Sequence, residues 1–215
     1  MSLQLKLFAP GMVCANSYIV KDMESGEAFV VDPGAYNSRF ESVLKSMGIE
    51  KIKYILLTHG HFDHIMGVQK LKRAFGGEVV IHENDADCLT DSKKNLAGVW
   101  GFMCPSFDCD KTVKDGDVLY LGDEKIEVIH TPGHTVGSVC YKTGNILITG
   151  DTLFHMTCGR TDFPGGSFAE LTESMKKLKA VEGEYRVCPG HDRETTLSFE
   201  KENNPCMKGL QNVSY

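Results

Sequence analysis

The stretch Thr-His-Gly-His-Phe-Asp-His, residues 58–64, directly follows an apolar run at residues 52–57. The apolar run predicts a buried strand, so this polar stretch begins where that strand ends. Three imidazoles and one carboxylate within six residues are too many unpaired polar groups for a core, yet they are typical ligands of divalent metals. Because His59 and His61 alternate by two, their rings lie on one side of an extended segment. The stretch therefore predicts a metal site.

Three further candidate ligands each follow a β-prone run and stand in a glycine-flanked turn. Glycine lets the backbone bend sharply at a strand end and point a ligand inward. The three candidates are His134 in Pro-Gly-His-Thr, Asp151 in Gly-Asp-Thr and His191 in Pro-Gly-His. Either histidine alone would be an ordinary loop residue, but together with residues 58–64 the set predicts one centre that holds a pair of metals.

The rest of the chain predicts two strand-rich halves, each with helices, and therefore a two-sheet core with helices outside. The predicted strands cover residues 3–8, 17–20, 28–31, 52–57, 78–81, 118–121, 125–130, 138–141, 146–149 and 185–188. One helix is expected after the N-cap Asn37 and another from Ile65 to Phe75. A third begins with Ser167 and Glu170, which have the spacing of a reciprocal capping box.

Residues 91–110 show little periodicity but contain Trp100, Phe102 and Phe107. Such a segment either covers a cleft or packs as an ordinary loop, and we favour the ordinary loop. His82 and His130 are expected to be core or surface residues, whereas His155 is close enough in sequence to Asp151 to be considered for the pocket. Cys158 and Cys188 flank the predicted site and are expected to be buried structural thiols.

Length and composition favour one domain over residues 1–215. The net charge of −6, with scattered basic residues, argues against a nucleic-acid partner. The sequence contains neither an apolar stretch of about 20 residues nor a signal peptide, so no membrane association is expected. Its eight cysteines lack regular spacing and are expected to be reduced. These features predict a cytoplasmic protein that acts on a small molecule, and nothing in them specifies an oligomeric state.

The pattern His-x-His-x-Asp-His, followed by Gly-His-Thr, Gly-Asp and Gly-His, resembles the metallo-β-lactamase superfamily over nearly the whole chain. The resemblance implies an α/β fold, a four-layer αββα sandwich with the metals at one edge of its two sheets. Two divalent metal ions are then expected, zinc by default, with iron or manganese as alternatives. It implies one metal on His59, His61 and His134, a second on Asp63, His64 and His191, and Asp151 bridging both.

Within that superfamily the sequence is similar to the glyoxalase II branch, thioester hydrolases that cleave hydroxyacyl-glutathione. Asp151 supports this similarity, since β-lactamases of the fold typically lack a bridging aspartate. The segment Cys-Gly-Arg-Thr-Asp-Phe-Pro-Gly-Gly, residues 158–166, resembles one in small glyoxalase II-like proteins and implies that Arg160 contacts the substrate. Full-length glyoxalase II adds a C-terminal helical domain that helps to bind glutathione. This chain ends soon after His191, so the thiol carrier stays open.

The expected reaction is hydrolysis of a thioester by a hydroxide that bridges two metals. Metal binding lowers the pKa of water to about 7, so hydroxide is available at neutral pH. Asp63 is the expected catalytic residue, which orients the hydroxide and passes its proton to the leaving group. A thiolate leaving group needs little acid assistance because its conjugate acid has a pKa near 8.5. One alternative is a mononuclear iron persulfide dioxygenase, in which only His59, His134 and Asp151 bind iron. Another is a metal-stabilised binding protein without turnover.

Overall fold

The computed structural model describes residues 2–9 and 15–209, and their secondary structure follows the predicted order of strands and helices. The strands are β1 Leu3–Phe8, β2 Ser17–Asp22, β3 Ala28–Val31, β4 Tyr54–Leu56, β5 Glu78–His82, β6 Lys111–Val113, β7 Val118–Leu121, β8 Glu124–His130, β9 Val139–Thr143, β10 Ile146–Gly150, β11 Leu153–Phe154, β12 Thr157–Cys158, β13 Arg186–Pro189 and β14 Thr195–Thr196. The α-helices are α1 Ser38–Ser46, α2 Phe62–Ile65, α3 Val68–Phe75, α4 Ala97–Trp100, α5 Phe168–Ala180 and α6 Leu197–Asn203, and 3₁₀ helices cover Glu83–Leu89 and Cys206–Lys208.

The strands form two six-stranded sheets and one small hairpin. The first sheet has the order β1-β2-β3-β4-β5-β6, in which the pairs from β3 to β6 are parallel and place Val30 opposite Ile55. The second sheet has the order β14-β13-β10-β9-β8-β7 and is antiparallel except where β10 pairs with β13. Parallel neighbours need crossover connections, and these are supplied by helices such as α1 and α5.

The alternating side chains of the strands form three buried clusters: one between the first sheet and its helices, one between the two sheets, and one between the second sheet and α5. On β3, Val30 packs with α1 and α3, whereas Val31 packs between the two sheets. On β10, Ile148 joins the same inter-sheet core, whereas Leu147 packs against α5. Because successive side chains of a strand point to opposite faces, each sheet buries one face on helices and the other on its partner sheet. The result is the four-layer αββα arrangement that the resemblance implied.

The helix expected from Ile65 to Phe75 is two helices, α2 and α3, and the prediction of one continuous helix was wrong. The break falls at Gly67, whose N–H donates to the Pro33 carbonyl at 2.8 Å instead of continuing α2. A Cβ at Gly67 would lie 2.4 Å from that carbonyl oxygen. Close packing on the turn after β3 therefore overrides the helical periodicity and orients α2 separately.

Both predicted helix starts are present, but the capping box is only half formed. Asn37 accepts a hydrogen bond from Phe40 N at 3.1 Å, and Ser167 Oγ accepts one from Glu170 N at 3.3 Å. The backbone N–H of Ser167 donates to the Gly133 carbonyl at 2.8 Å, so it does not use the Glu170 side chain. This backbone contact attaches the start of α5 to the turn that holds His134.

In the described part of the chain, no helix is long and apolar enough to cross a membrane. The seven cysteines within that part are all free. Cys188 is buried between the sheets and Cys158 against α5, as expected for structural thiols.

Candidate metal centre

A first group of side chains brings together three imidazoles from two turns. His59 and His61 follow β4, and His134 lies between β8 and β9. His61 Nδ1 lies 3.1 Å from His59 Nε2 and 2.9 Å from His134 Nε2, and all three side chains are buried. Nitrogens on a tetrahedral metal with bonds of about 2.0 Å lie about 3.3 Å apart. The three nitrogens therefore have the spacing of ligands to one cation.

Neighbouring groups fix which nitrogen is available in two of these rings, those of His134 and His59. His134 Nδ1–H donates to the Arg160 carbonyl at 2.8 Å, which leaves Nε2 with its lone pair. The Thr58 hydroxyl donates to Asp32 at 2.6 Å, so its oxygen accepts from His59 Nδ1–H at 3.2 Å. A hydrogen bond at one ring nitrogen fixes the tautomer and orients the other nitrogen toward a metal.

A second group consists of Asp63 and His64 from α2 and His191 from the turn after β13. Asp63 Oδ2 lies 3.2 Å from His191 Nε2 and 3.7 Å from His64 Nε2. Asp63 keeps 17% of its side-chain area exposed, whereas His64 is fully buried. His191 is 37% exposed, so this second group opens toward solvent at both Asp63 and His191.

Asp151, at the end of β10, stands between the two groups. Its Oδ1 lies 3.4 Å from His64 Nε2, and its Oδ2 lies 3.5 Å from His134 Nε2 and 3.6 Å from His191 Nε2. One carboxylate is thus within reach of a cation in either group. The seven side chains selected from the sequence are brought together, and whether they ligate metal stays a prediction.

The electrostatics of the cluster suit cation binding. Burial, with the nearby ring of His134, lowers the pKa of His61 to about 3, and burial also holds the pKa of His59 well below its usual value. Burial opposes ionisation of Asp151, but the neighbouring His64 holds the pKa of that carboxyl well below its usual range. Burial would lower the pKa of His64, yet the nearby carboxylates raise it well above normal. Positive charge is therefore favoured among these carboxylates, as metal binding requires.

Three buried atoms at the centre have no hydrogen-bond partner among the described residues: His61 Nε2, His64 Nε2 and Asp151 Oδ1. The last two face each other at 3.4 Å. Buried polar atoms are normally satisfied, so an imidazole nitrogen and a carboxylate oxygen left together need an explanation. A divalent cation coordinated by both would satisfy them, and the donor set of imidazole and carboxylate fits zinc, iron or manganese.

Asp32 belongs to the centre but was not among the residues predicted from the sequence. It directly follows β3, has φ of 48° and is buried. Its carboxylate accepts from Thr58 N at 2.8 Å, from Thr58 Oγ1 at 2.6 Å and from His64 Nδ1 at 2.9 Å. The sequence signal was an acid directly after an apolar strand and before Pro-Gly.

Asp85 is a second acid that sequence analysis missed. It is fully buried in the 3₁₀ helix after β5 and connects two ligand turns. Its carboxylate accepts from Gly60 N at 3.1 Å and from Thr135 Oγ1 at 2.7 Å. Nothing in its segment distinguishes it from the neighbouring acids, because only the tertiary fold places it beside those turns.

Glycine has two different roles in the ligand turns. Gly150 has φ of +49°, which is the sharp bend expected from the sequence. Gly190 instead provides space, since a Cβ there would lie 2.2 Å from Asp151 Oδ1 and 2.8 Å from His64 Cε1. The expectation of a bending glycine therefore holds at Gly150, whereas Gly190 allows close approach of two ligand side chains.

A cleft of about 520 Å³ opens over the centre. Trp100 and Phe102 line it, so the interpretation of their segment as an ordinary loop was wrong for these two residues. Phe107, from the same segment, packs against the core of the first sheet. The cleft lining consists of His61, Phe62, Asp63, Leu96, Trp100, Phe102, His134, Asp151, Phe154, Arg160, Phe163 and His191.

Arg160 lines the cleft, but its guanidinium is engaged within the protein. Nε and Nη2 each lie 2.6 Å from a carboxylate oxygen of Asp162, and the group sits 3.9 Å from the centre of the Phe163 ring. Its contact with a substrate stays a prediction. His155 is not among the lining residues and bonds Glu200 at 3.1 Å.

The fold and the centre define a class of α/β protein in which two packed sheets carry a cluster of histidines and aspartates that could hold metal ions. Residues 13–191 match the model of the Metallo-beta-lactamase superfamily, and the chain belongs to that superfamily.

Relatives include an uncharacterized protein of Aquifex aeolicus, 36% identical over 97% of this chain and 99% of its own length. The hydroxyacylglutathione hydrolase GloC of Haemophilus influenzae is 32% identical, covering 88% of this chain and 91% of its own. Similar solved structures include the BLEG-1 B3 metallo-beta-lactamase, with a TM-score of 0.88 and 30% identity over 96% of this chain and 100% of its own. The structure of TTHA1623 in a di-iron-bound form has a TM-score of 0.81 and is 31% identical, covering 94% of this chain and 98% of its own.

Proposed function

We propose that this protein is a binuclear metal-dependent hydrolase of thioesters, in which His59, His61 and His134 hold one cation and Asp63, His64 and His191 hold the other. The main support is the position of Asp151, whose two oxygens lie 3.4–3.6 Å from histidine nitrogens of both groups. A carboxylate shared in this way is the natural bridge of a two-metal site. Zinc is the proposed default metal, with iron supported by the di-iron form of TTHA1623.

Two divalent cations at such a centre supply Lewis acidity and a nucleophilic water of lowered pKa. The protein's own residues hold and orient the reactants. Asp63 is the partly exposed carboxylate of the centre, so it accepts a hydrogen bond from the attacking water and receives its proton. The cleft side chains then exclude bulk solvent from the acyl group, and the thiolate leaves with little acid assistance.

The thioester substrate is supported by similarity to the GloC hydrolase. A different activity is suggested by the BLEG-1 structure, which is described as a B3 metallo-beta-lactamase. A β-lactam therefore belongs among the test substrates. We favour the thioester, because an aspartate at the bridging position is uncommon in β-lactamases of this fold.

The proposal is tested by metal analysis of the purified protein together with hydrolysis of lactoyl-glutathione, simple thioesters, lactones, phosphodiesters and a β-lactam. We expect about two metals per chain and turnover of thioesters. The His61→Ala variant should lose at least about 100-fold in kcat/KM, because it removes a proposed ligand. His130→Ala is the matched control, since His130 stacks on His82 at 4.0 Å and does not line the cleft.

Each alternative has its own outcome. One iron per chain with oxygen consumption on a persulfide would support the mononuclear dioxygenase that uses only His59, His134 and Asp151. Bound metal without turnover of any substrate would support a metal-stabilised binding protein. Thioesterase activity that survives His61→Ala would refute the proposed site.

A further inference from the structure

Apart from the candidate ligands and Arg160, the wall of the cleft is apolar. Six of the lining residues are aromatic or aliphatic: Phe62, Leu96, Trp100, Phe102, Phe154 and Phe163. Phe163 lies edge-on to His61 at 5.9 Å, and Phe154 lies edge-on to His191 at 6.2 Å. Aromatic rings therefore flank both cation groups, so any substrate at the centre meets apolar surface on either side.

This wall is separate from the three buried clusters of the core. Phe62, Leu96 and Ala97 form their own buried cluster, and the Phe62 and Phe102 rings stack at 4.8 Å. Phe62 directly follows His61, so the stack forms beside the centre. The cluster thus belongs to the cleft and adds little to the packing between sheets and helices.

The segment that supplies the wall is held in a strained conformation. Leu96 has φ of 68°, a backbone region unfavourable for a branched side chain. Asn95 stabilises it, because its carbonyl accepts from Phe62 N at 2.9 Å and its side chain accepts from Ala97 N at 3.0 Å. Strain of this kind persists where the surrounding structure enforces it, often at ligand sites.

Beyond this strained turn the chain exposes four large apolar side chains, of which Trp100 and Phe102 line the cleft. The exposed fractions are 67% for Val99, 57% for Trp100, 40% for Phe102 and 96% for Met103. A cluster of exposed apolar residues next to a site indicates contact with an apolar ligand.

The cleft has little to attract an anionic carrier. Arg160 is the one lysine or arginine that lines it among residues 2–9 and 15–209. That guanidinium is paired with Asp162 and stacked on Phe163. A peptide thiol with free carboxylates would have to displace Asp162 to gain an ion pair here.

From these observations we infer that the substrate is an ester or thioester in which a hydrocarbon chain or aromatic ring adjoins the scissile carbonyl, on either the acyl or the leaving-group side. This inference rests on the proposed hydrolase function and names its substrate class. The apolar group lies against Trp100, Phe102 and Phe163 while the carbonyl faces the ligand cluster.

The test uses the metal-loaded protein and two substrate series: acyl-N-acetylcysteamine thioesters from acetyl to octanoyl, and acetyl thioesters of thiols from ethyl to octyl. We expect kcat/KM to rise about two- to fourfold per methylene in at least one series, as burial of each methylene predicts. Trp100→Ala should lower kcat/KM for the longest substrate about tenfold and for the shortest less than threefold. Tyr120→Ala removes an aromatic ring that is 48% exposed on β7, outside the cleft lining, and should change neither.

A second measurement does not depend on turnover. Trp100 is the single tryptophan of the chain, so its fluorescence reports occupancy of the cleft. We expect unreactive thioethers to shift this fluorescence with a Kd that falls with chain length. Chain-length-dependent binding without hydrolysis of any compound would refute the proposed function but would still support the cleft's preference for apolar ligands. Hydrolysis with flat profiles in both series, or thioether binding independent of length, would overturn the inference.

Discussion

At the residue scale, the orientation of His64 depends on one acid outside the candidate ligand set. Asp32 receives the Nδ1–H of His64 at 2.9 Å and also accepts both donors of Thr58. Because Nδ1 is the donor to Asp32, Nε2 is the nitrogen that His64 presents to Asp151 and to a cation bound there. Acids that hold a histidine in this way typically change metal affinity 10- to 100-fold when replaced.

Asp32→Asn should therefore weaken the second cation site about 10- to 100-fold and reduce the metal content from about two toward one per chain. The amide NH₂ of the asparagine would take the place of the oxygen that accepts from the Thr58 hydroxyl and His64 Nδ1. As a donor, it would favour the tautomer in which Nδ1 is unprotonated and Nε2 carries the proton. Metal titration against a competing chelator measures this change. Asp22→Asn is the matched control, because Asp22 is also a buried strand-end acid but accepts the turn N–H groups of Glu24 and Ser25. Equal metal content in the two variants would contradict the assignment.

The burial of His82 makes the free energy of unfolding depend on pH. Burial, followed by the nearby charge of His130, lowers the pKa of His82 to about 4, against about 6.5 for an unfolded chain. Between these values the folded protein binds fewer protons than the unfolded chain, so stability falls as the pH drops from about 6.5 to about 4. His82→Asn keeps an acceptor for Asn84 N and should reduce this loss by up to about 3 kcal/mol at pH 4. Urea unfolding across the window measures the difference, and parallel profiles would exclude it.

At the element scale, the centre is built from strand-end turns that come within van der Waals contact of one another. The turn after β13 passes the turn after β10 so closely that only glycine fits at position 190. The ligand positions therefore depend on how these strands end as much as on the ligand side chains themselves.

Gly190→Ala should lower metal affinity at least about tenfold while the protein still folds, because the added methyl would displace Asp151 and His64. Gly26→Ala is the control for a general glycine effect, since Gly26 has φ of +74° and a Cβ there would meet no atom within 4 Å. That substitution should cost about 1 kcal/mol in stability without affecting metal content. Circular dichroism and metal analysis of both variants separate the two effects.

The strands and the candidate ligands could be predicted because their signals are local. An apolar run followed by His-x-His-x-Asp-His needs no tertiary knowledge to be noticed, and the same holds for His134, Asp151 and His191. The break before α3 could not be predicted, because the contact of Gly67 with Pro33 lies outside the helix pattern. Asp85 was missed for a similar reason, since its donors come from residues far away in sequence. That Trp100 and Phe102 line the cleft likewise depends on how the segment of residues 91–110 packs against the rest of the fold.

At the scale of the whole molecule, each sheet sends one tyrosine hydroxyl into a ligand turn of the other. Tyr18 of the first sheet donates to the Pro189 carbonyl at 2.9 Å, directly before Gly190 and His191. Tyr141 of the second sheet donates to the Leu57 carbonyl at 2.9 Å, directly before Thr58 and His59. Both side chains are buried, so the two bonds fix the sheets against each other at the candidate centre.

Tyr141→Phe should lower the free energy of unfolding by about 1–1.5 kcal/mol, because it removes a buried cross-sheet hydrogen bond. Tyr18→Phe should cost less, since the Pro189 carbonyl keeps a second donor in Asn16 Nδ2 at 3.1 Å. Denaturant unfolding of the two variants and the double variant measures both values. A larger loss in Tyr18→Phe than in Tyr141→Phe would contradict this ranking.

The division of the chain between the sheets has a consequence for its assembly. Residues 3–113 supply the whole first sheet and residues 118–196 the whole second sheet, with an exposed connection at residues 114–117. Four of the candidate ligands lie before that connection and three after it, and each group of three described above draws on both portions. If the candidate ligands bind divalent cations, we expect that two fragments produced by cleavage there would associate more tightly when such a cation is added, because each ligand group takes side chains from both fragments.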